Sequence, residues 1–408
     1  MLGGPNMSEK RRNNPISLIL VVISMLLLII NPVFAAPKTS GKIYSRQSSR
    51  TTAVKPGVPV GADEGEGTTS NAMQQERTRT IDDSVKEASA FDWFQKGYAF
   101  QKKGDNDDAI TAYDRAIDLD SEFGKAYYNR GLAYSKLGDR EEALKNYDKA
   151  IELNSAFAKA YFNRGFIYIN LGKYQQAIMD YDRAIELNNK DAAAYNNRGV
   201  AYRNIGNYEQ AARDCDSAKE LSPGLAVAFY NCGMAYGYLG SYQRAIMDYD
   251  RFVELSPSLA VAYYNRGTAY SMLGNYQQAI MDYDRAIEAN PKYVAAYYNR
   301  GMALSSLGNY KQAVKDYSKA IELHHKLAIA YYNRGIAYNS LGNYQDAIMD
   351  YDRAMEFDPK SVWAYHYNRG IAYWNLGNQK QAIEDVKSAA KLGHKDAQEY
   401  LKNKGIAW

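Results

Sequence analysis

An asparagine recurs at one place in each copy of a repeated hexapeptide. It is Asn129 in AYYNRG, then Asn163, Asn197, Asn231, Asn265, Asn299 and Asn333 at one constant interval, and Asn368 one position later than that interval requires. A primary amide carries both donors and an acceptor. It can pair with both halves of a peptide bond whatever the side chains of the ligand, so a row of such amides suits an extended main chain. Their neighbours are apolar or aromatic: Tyr230, Tyr264 and Tyr298 precede an asparagine, and Met234, Met302 and Ile336 stand at i+3 from one. These are the candidate peptide-binding residues. The competing reading is architectural: each asparagine bonds the neighbouring repeat and sets the spacing of the array.

Nothing else in the chain has the spacing of a catalyst. His324 and His325 lie between repeats, His366 in an irregular copy and His394 near the C-terminus, without the i, i+4 pairing of a metal-binding helix. The recurrent DYD tripeptide, as at Asp180 and Asp182, puts two carboxylates at i, i+2 on different faces of a helix. No glycine-rich phosphate loop is present. The expectation is therefore no catalytic residue, no metal, no cofactor and no enzymatic activity. Two cysteines, Cys215 and Cys232, stand on adjacent elements of the pattern. In an oxidising compartment they form a candidate disulfide; the alternative is two small buried hydrophobes.

These residues must be positioned by the repeat itself. A fixed period of 20 to 50 residues signals units stacked in a row. Within the copy at Ala126, Tyr127, Gly131 and Tyr134 fall at i, i+4, i+7, and Ala143, Tyr147 and Ala150 do the same after a break at Leu137–Asp139. The pattern predicts two amphipathic helices per unit, with large residues on one opposing glycine and alanine on the other. On a wheel of about 100° per residue, Asn129 falls nearly opposite Tyr127, in an arc shared with Tyr128 and Leu132. That arc is expected to face outward. Arg130 and its equivalents fall at the edge of the buried face. In six copies an aspartate follows at a fixed offset on the second helix, which predicts intra-repeat ion pairs Arg164–Asp180, Arg198–Asp214, Arg266–Asp282, Arg300–Asp316, Arg334–Asp350 and Arg369–Asp385. Arg130 faces Asn146 instead.

The alternation of large, glycine and large on one helix with alanine, large and alanine on the other resembles the tetratricopeptide repeat (TPR) family. The resemblance covers Asp92 to about Ala397 in nine copies. It implies an all-α, right-handed TPR solenoid of about nine helix-turn-helix repeats whose first helices line a concave groove. The asparagine row is similar to that in the TPR superhelix of O-GlcNAc transferase. The first copy departs, with Gln95 where others have Asn, and the ninth, WAYHYNRG, holds one extra residue, expected in the loop after Pro359, with a bulge in the helix as the alternative. The carboxylate clamp of chaperone-adaptor TPR domains is not intact, because Tyr230 and Met234 or Tyr264 and Thr268 stand where it needs Lys and Asn. A polar capping helix is expected over 394–404.

Outside the repeats, a basic run leads into the uncharged stretch Ile16–Ile30, then Asn31, Pro32 and the small residues Ala35 and Ala36. This is the layout of a secretory signal peptide over residues 1–36; the alternative is an uncleaved membrane anchor, which normally needs about 18 or more apolar residues. Residues 37–81 are rich in Ser, Thr, Gly, Pro and Arg and read as a disordered linker, leaving 82–408 for the solenoid. The formal net charge is +4, and the leader carries three basic residues against one acidic, so the mature chain is nearly neutral. That excludes the dense basic footprint of a nucleic-acid binder. The expected partner is a protein or peptide, not a small-molecule substrate, and the expected location is periplasmic or secreted. A self-associating envelope scaffold that uses the convex face, or an accessory subunit that positions a cell-wall enzyme, are the alternatives.

Overall fold

Each copy is long enough for two helices of three to four turns and two tight connections. The computed structural model describes residues 88–359 and 362–408, and contains 19 helices and no strand among them. The leader and linker read from the sequence lie outside the described residues. The helices fall into two units that divide at Pro223 and Gly224. The first holds α1 (Ala90–Lys103), α2 (Asn106–Leu119), α3 (Gly124–Leu137), α4 (Arg140–Leu153), α5 (Ala158–Asn170), α6 (Tyr174–Leu187), α7 (Ala192–Asn204) and α8 (Tyr208–Leu221). The second holds α9 (Ala226–Tyr238), α10 (Tyr242–Leu255), α11 (Ala260–Met272), α12 (Tyr276–Ala289), α13 (Val294–Ser306), α14 (Tyr310–Leu323), α15 (Ala328–Ser340), α16 (Tyr344–Phe357), α17 (Val362–Asn375), α18 (Gln379–Lys391) and α19 (Lys395–Asn403). Odd-numbered helices up to α17 are the first helix of a repeat, and even-numbered ones the second.

The glycine of the hexapeptide is forced by close approach. A Cβ on Gly131 would meet the Tyr147 ring at 2.8 Å, so α3 and α4 pack backbone against ring. The glycine that ends the first helix answers a different need. Gly138 sits at φ 88° and closes α3 with its N–H on the carbonyls of Tyr134 and Ser135, a left-handed cap that costs other residues strain. The second helix ends in an Asx turn: Asn154 Oδ1 accepts from the Ala156 N–H at 3.0 Å, as Asn290 does from Lys292. Each core is shared by two repeats. Tyr128, Leu132, Ala143, Tyr147 and Ala150 form one cluster with Ala160 and Ile167 of the next copy. Within each unit a second helix packs on the first helix that follows it, and first helices of successive repeats also touch, as α1 with α3, α11 with α13 and α15 with α17.

Both irregular copies have a physical explanation. Ala126 and Ala133 are fully buried beneath neighbouring helices, but their counterparts on α1, Asp92 and Ala99, are exposed, as are Gln95 and Lys96. The departures of the first copy thus give a polar outer face to a helix with no preceding partner among the described residues. At the other end α19 buries Ala397 and Leu401 against Val386, Ala389 and Ala390 of α18, which agrees with the expected cap. The extra residue of the ninth copy is expected in the loop after Pro359, of which residues 360 and 361 lie outside the described set. The helix bounds place it in α17, which has 14 residues where the six preceding first helices have 13. Tyr365 consequently occupies the buried position held by Ala330 one repeat earlier.

Candidate functional site

The side-chain amides do not stand free. Asn163 Nδ2 donates to the Tyr128 hydroxyl of the preceding repeat at 2.9 Å. The same bond joins Asn265 to Tyr230 at 3.3 Å, Asn299 to Tyr264 at 3.0 Å, Asn333 to Tyr298 at 2.8 Å and Asn368 to Tyr332 at 3.0 Å. Burial pushes the Tyr264 hydroxyl up to about 12 against the pull of Thr268 and Asn299, so it stays protonated and accepts. Where the preceding repeat lacks a tyrosine, the donor is diverted. Asn129 follows Phe94 and donates instead to its own Lys125 carbonyl at 2.9 Å. Asn197 follows Phe162; its Oδ1 accepts from Asn196 at 3.2 Å, and its buried Nδ2 has no hydrogen-bond partner. The buried Tyr181 hydroxyl lies beside Asn197 but no partner is within normal hydrogen-bond distance, and burial raises it well above its ordinary value against the pull of Asn197.

The expected outward arc is therefore corrected. Asn129, Asn163, Asn197, Asn231 and Asn265 are buried, as are Tyr230, Tyr264 and Met234. A wheel assigns one buried face to an isolated helix, but here α3 is packed by α2, by α4 and by α1, so three sides are covered. Exposure returns toward the C-terminus. Asn299, Asn333, Asn368, Tyr298, Met302 and Ile336 are half-buried. In these three rungs one Nδ2 hydrogen is spent on tyrosine, and Asn368 also donates to the Ala364 carbonyl. No described residue donates to their Oδ1 atoms at normal hydrogen-bond distance, though the Tyr283 hydroxyl lies close to Asn299, whereas the Oδ1 atoms of Asn129 and Asn163 are buried without a donor.

The arginine beside each asparagine does more than its spacing suggests. All six expected pairs form, each with Nε and Nη2 on the two oxygens of one carboxylate, as Arg164 holds Asp180 at 2.9 and 2.6 Å. Arg130 takes Asn146 at 2.7 Å as expected. The remaining Nη1 reaches back to the preceding second helix: Arg164 to Asp148, Arg198 to Asp182 and Arg266 to Asp250, each at 2.7 Å, and Arg300 to Asp284 at 2.5 Å. Arg130 with Asp114 and Arg369 with Asp352 do the same, and Arg334 finds Ser318 at 2.8 Å. The first aspartate of DYD thus serves its own repeat and the second the next one. Planar forked donors suit this three-helix tie. Burial raises the Asp180 carboxyl above its ordinary value against the pull of Arg164. Burial also raises Asp385, but the bonds from Arg369 and from His366 at 2.8 Å outweigh it and hold that carboxyl below its ordinary value.

Tetratricopeptide repeat models match residues 124–157, 158–191, 192–225, 260–293, 294–327 and 328–361, and another matches 226–259 and 364–392. A TPR repeat model matches 97–138. The chain belongs to the tetratricopeptide repeat family. No curated protein matches it. Among solved structures it is similar to YrrB, described as a TPR protein with an unusual peptide-binding site, at 26% identity over 46% of this chain and 97% of that one, with a TM-score of 0.43. MamA is 30% identical over 40% of this chain and 96% of its own, with a TM-score of 0.39. A tetratricopeptide repeat protein from Parabacteroides merdae ATCC 43184 is 21% identical over 61% and 99%, with a TM-score of 0.45.

A TPR array is a protein-interaction scaffold, and the family is generally non-enzymatic. His324 and His325 are exposed between α14 and α15, and His394 caps α19 by accepting the Ala397 N–H on Nδ1 at 3.1 Å. Both cysteines are buried, and neither is a free thiol. No described helix is long and apolar enough to cross a membrane. One exposed aromatic side chain that sequence reasoning passed over is Trp374 on α17. It completes an i, i+4, i+7 series with Tyr367 and Ile371, and it is 48% exposed. The same count that marked Tyr127, Gly131 and Tyr134 would have found it.

Proposed function

We propose that this chain is an exported, non-catalytic TPR scaffold that binds an extended, uncharged segment of a partner protein along the first helices of its C-terminal repeats. The observation that carries the reading is the set of open acceptors at Asn299, Asn333 and Asn368, beside half-buried Tyr298, Met302 and Ile336. Each open Oδ1 can accept a main-chain N–H of the ligand, and at Asn299 and Asn333 the second Nδ2 hydrogen is left to donate to a main-chain carbonyl. Each such bond contributes about 0.5–1.5 kcal/mol net, and apolar contacts add to it. Ordering a flexible peptide offsets part of the gain, so micromolar dissociation constants, about −8 kcal/mol, are expected. The test is selection of dodecapeptides from a displayed random library, followed by anisotropy titration of the selected peptides. Asn333→Leu should weaken them at least tenfold with the helical content unchanged. Undiminished binding would move the site elsewhere. Export rests on the leader, and N-terminal sequencing should find a mature chain that starts near Ala36 or Pro37; a chain retaining Met1 or Met7 in the membrane fraction would favour an anchor.

A second reading rests on Met179, Met247, Met281 and Met349, which occupy one position on four second helices and are 60–70% exposed. An apolar side chain repeated on that side fits a scaffold that self-associates or bridges envelope proteins. Met281→Lys would then change the sedimentation coefficient and spare peptide binding.

A further inference from the structure

We propose that Trp374 is the specificity-determining anchor of this groove, receiving one bulky apolar side chain of the bound segment. The inference rests on the groove reading above and deepens it by naming what the peptide must carry. Tyr367, Ile371 and Trp374 stand at i, i+4, i+7 on α17 and form one stripe. The corresponding stripe is Tyr332, Ile336 and Asn339 on α15, and Tyr298, Met302 and Ser305 on α13. The third place is small or polar in those helices and becomes an indole only in the last repeat.

Among the described residues of the second unit, Trp374 is the one large apolar side chain on a first helix that lies exposed. It is not packing debris from the cap, because the cap makes its contacts one turn and more away. His394 stacks on Tyr367 with ring centroids 4.2 Å apart, and lies 4.8 Å from Trp363. The stack covers the start of the α17 stripe and leaves its end open. A peptide laid on the acceptors of Asn299, Asn333 and Asn368 meets no further rung after α17. The side chain it carries beyond Asn368 meets the indole. Tryptophan is a rigid, large contact surface of the kind that dominates binding at interface centres. Arg334 and Arg369 of these two repeats are committed to Asp350 and Asp385, and Asp396 lies by Tyr367 at the covered end of the stripe. The anchor therefore has no use for a charged side chain and takes a bulky aliphatic or aromatic one.

The experiment uses the full-length chain and the fluorescein-labelled dodecapeptides selected above. Each is paired with a version in which its one bulky apolar residue is changed to serine. Wild-type protein should bind the parent peptide at least tenfold more tightly than the serine version. Trp374→Ala should bring the two to equal affinity, while Trp374→Phe retains about a third or more of the preference. Asn333→Leu should weaken both peptides alike and keep their ratio. If Trp374→Ala retains the full preference, or weakens both peptides by the same factor, the anchor assignment is wrong and the groove reading survives. If no peptide is bound by the wild type, or Asn333→Leu changes nothing, the groove reading itself fails and the anchor with it.

Discussion

The bond between tyrosine and asparagine can be tested in both directions, because the array itself lacks it where Phe162 precedes Asn197. Tyr128→Phe deletes the hydroxyl that accepts from Asn163 at 2.9 Å. Asn163 is 2% exposed and its Oδ1 already lacks a donor, so the variant leaves a buried amide paired at neither end. A buried group left unsatisfied costs about 1–3 kcal/mol. The reciprocal change is Phe162→Tyr. Phe162 stands to Asn197 as Tyr128 stands to Asn163, and the Asn197 Nδ2 is buried without a hydrogen-bond partner. A hydroxyl supplied there should stabilise by about 1 kcal/mol. Overpacking typically costs about 1–3 kcal/mol, so a gain requires the hydroxyl to enter the place where the amide now waits. Urea denaturation reads both changes, with hydrogen exchange of α5 and α7 to localise them, since long repeat arrays depart from two-state behaviour. A cost below about 0.3 kcal/mol for Tyr128→Phe, set against the penalty above, together with a loss for Phe162→Tyr, would refute the reasoning. It would mean that the amide is not committed to the tyrosine and is free to turn toward a ligand.

Other consequences follow from the ties between helices. Ser318→Asp should give Arg334 the second carboxylate that Arg300 has in Asp284, raising the urea midpoint by an amount equivalent to about 0.5 kcal/mol, since such half-exposed pairs are worth little; a fall in the midpoint would count against the three-helix tie. His394 caps α19 as a neutral imidazole, and burial lowers its pKa against the pull of Asp396. A lowered histidine contributes stability above its unfolded value of about 6.5 that is lost as the pH falls below it. Exchange protection of residues 395–403 should therefore decrease between pH 7 and pH 5, and His394→Asn should keep the cap and remove that dependence. Cys215 and Cys232, a candidate disulfide in the sequence and neither a free thiol in the structure, should resist alkylation in the unfolded chain until a reductant is added, and reduction should cost about 3 kcal/mol on the loop-entropy account.

What can be read from the sequence is what one period encodes. The helix pair, the glycine at the close approach, the left-handed turn and the six intra-repeat ion pairs all lie within a single copy, and their geometry follows from one helix meeting its own partner. The contacts between repeats are harder to read. Asp182 precedes Arg198 by the same offset at which Asp180 follows Arg164. The backward tie is therefore present in the spacing, but a DYD considered on its own helix reads as solvated scaffold. The burial of Asn129 and Asn163 has no local signal at all. It depends on three neighbouring helices, and a wheel knows only one axis. Asp92, Gln95 and Lys96 resemble degeneration of the motif, but each is polar where an inner repeat would meet a preceding helix.

The commitments that build the array also constrain what it can bind. Every arginine of the hexapeptide is held on two helices besides its own, and five asparagine donors are held by tyrosines, so little side-chain freedom remains to be lost when a ligand arrives. That lowers the ordering cost on the protein side and leaves the cost on the peptide. The same commitments remove charge from the first-helix side, so recognition there must come from the remaining amide groups and apolar surface. Acceptors in a row read main chain without regard to sequence. Sequence preference then has to come from a feature that is not repeated, and Trp374 is such a feature in the second unit. A repeat that binds any extended chain acquires selectivity only where its periodicity is broken.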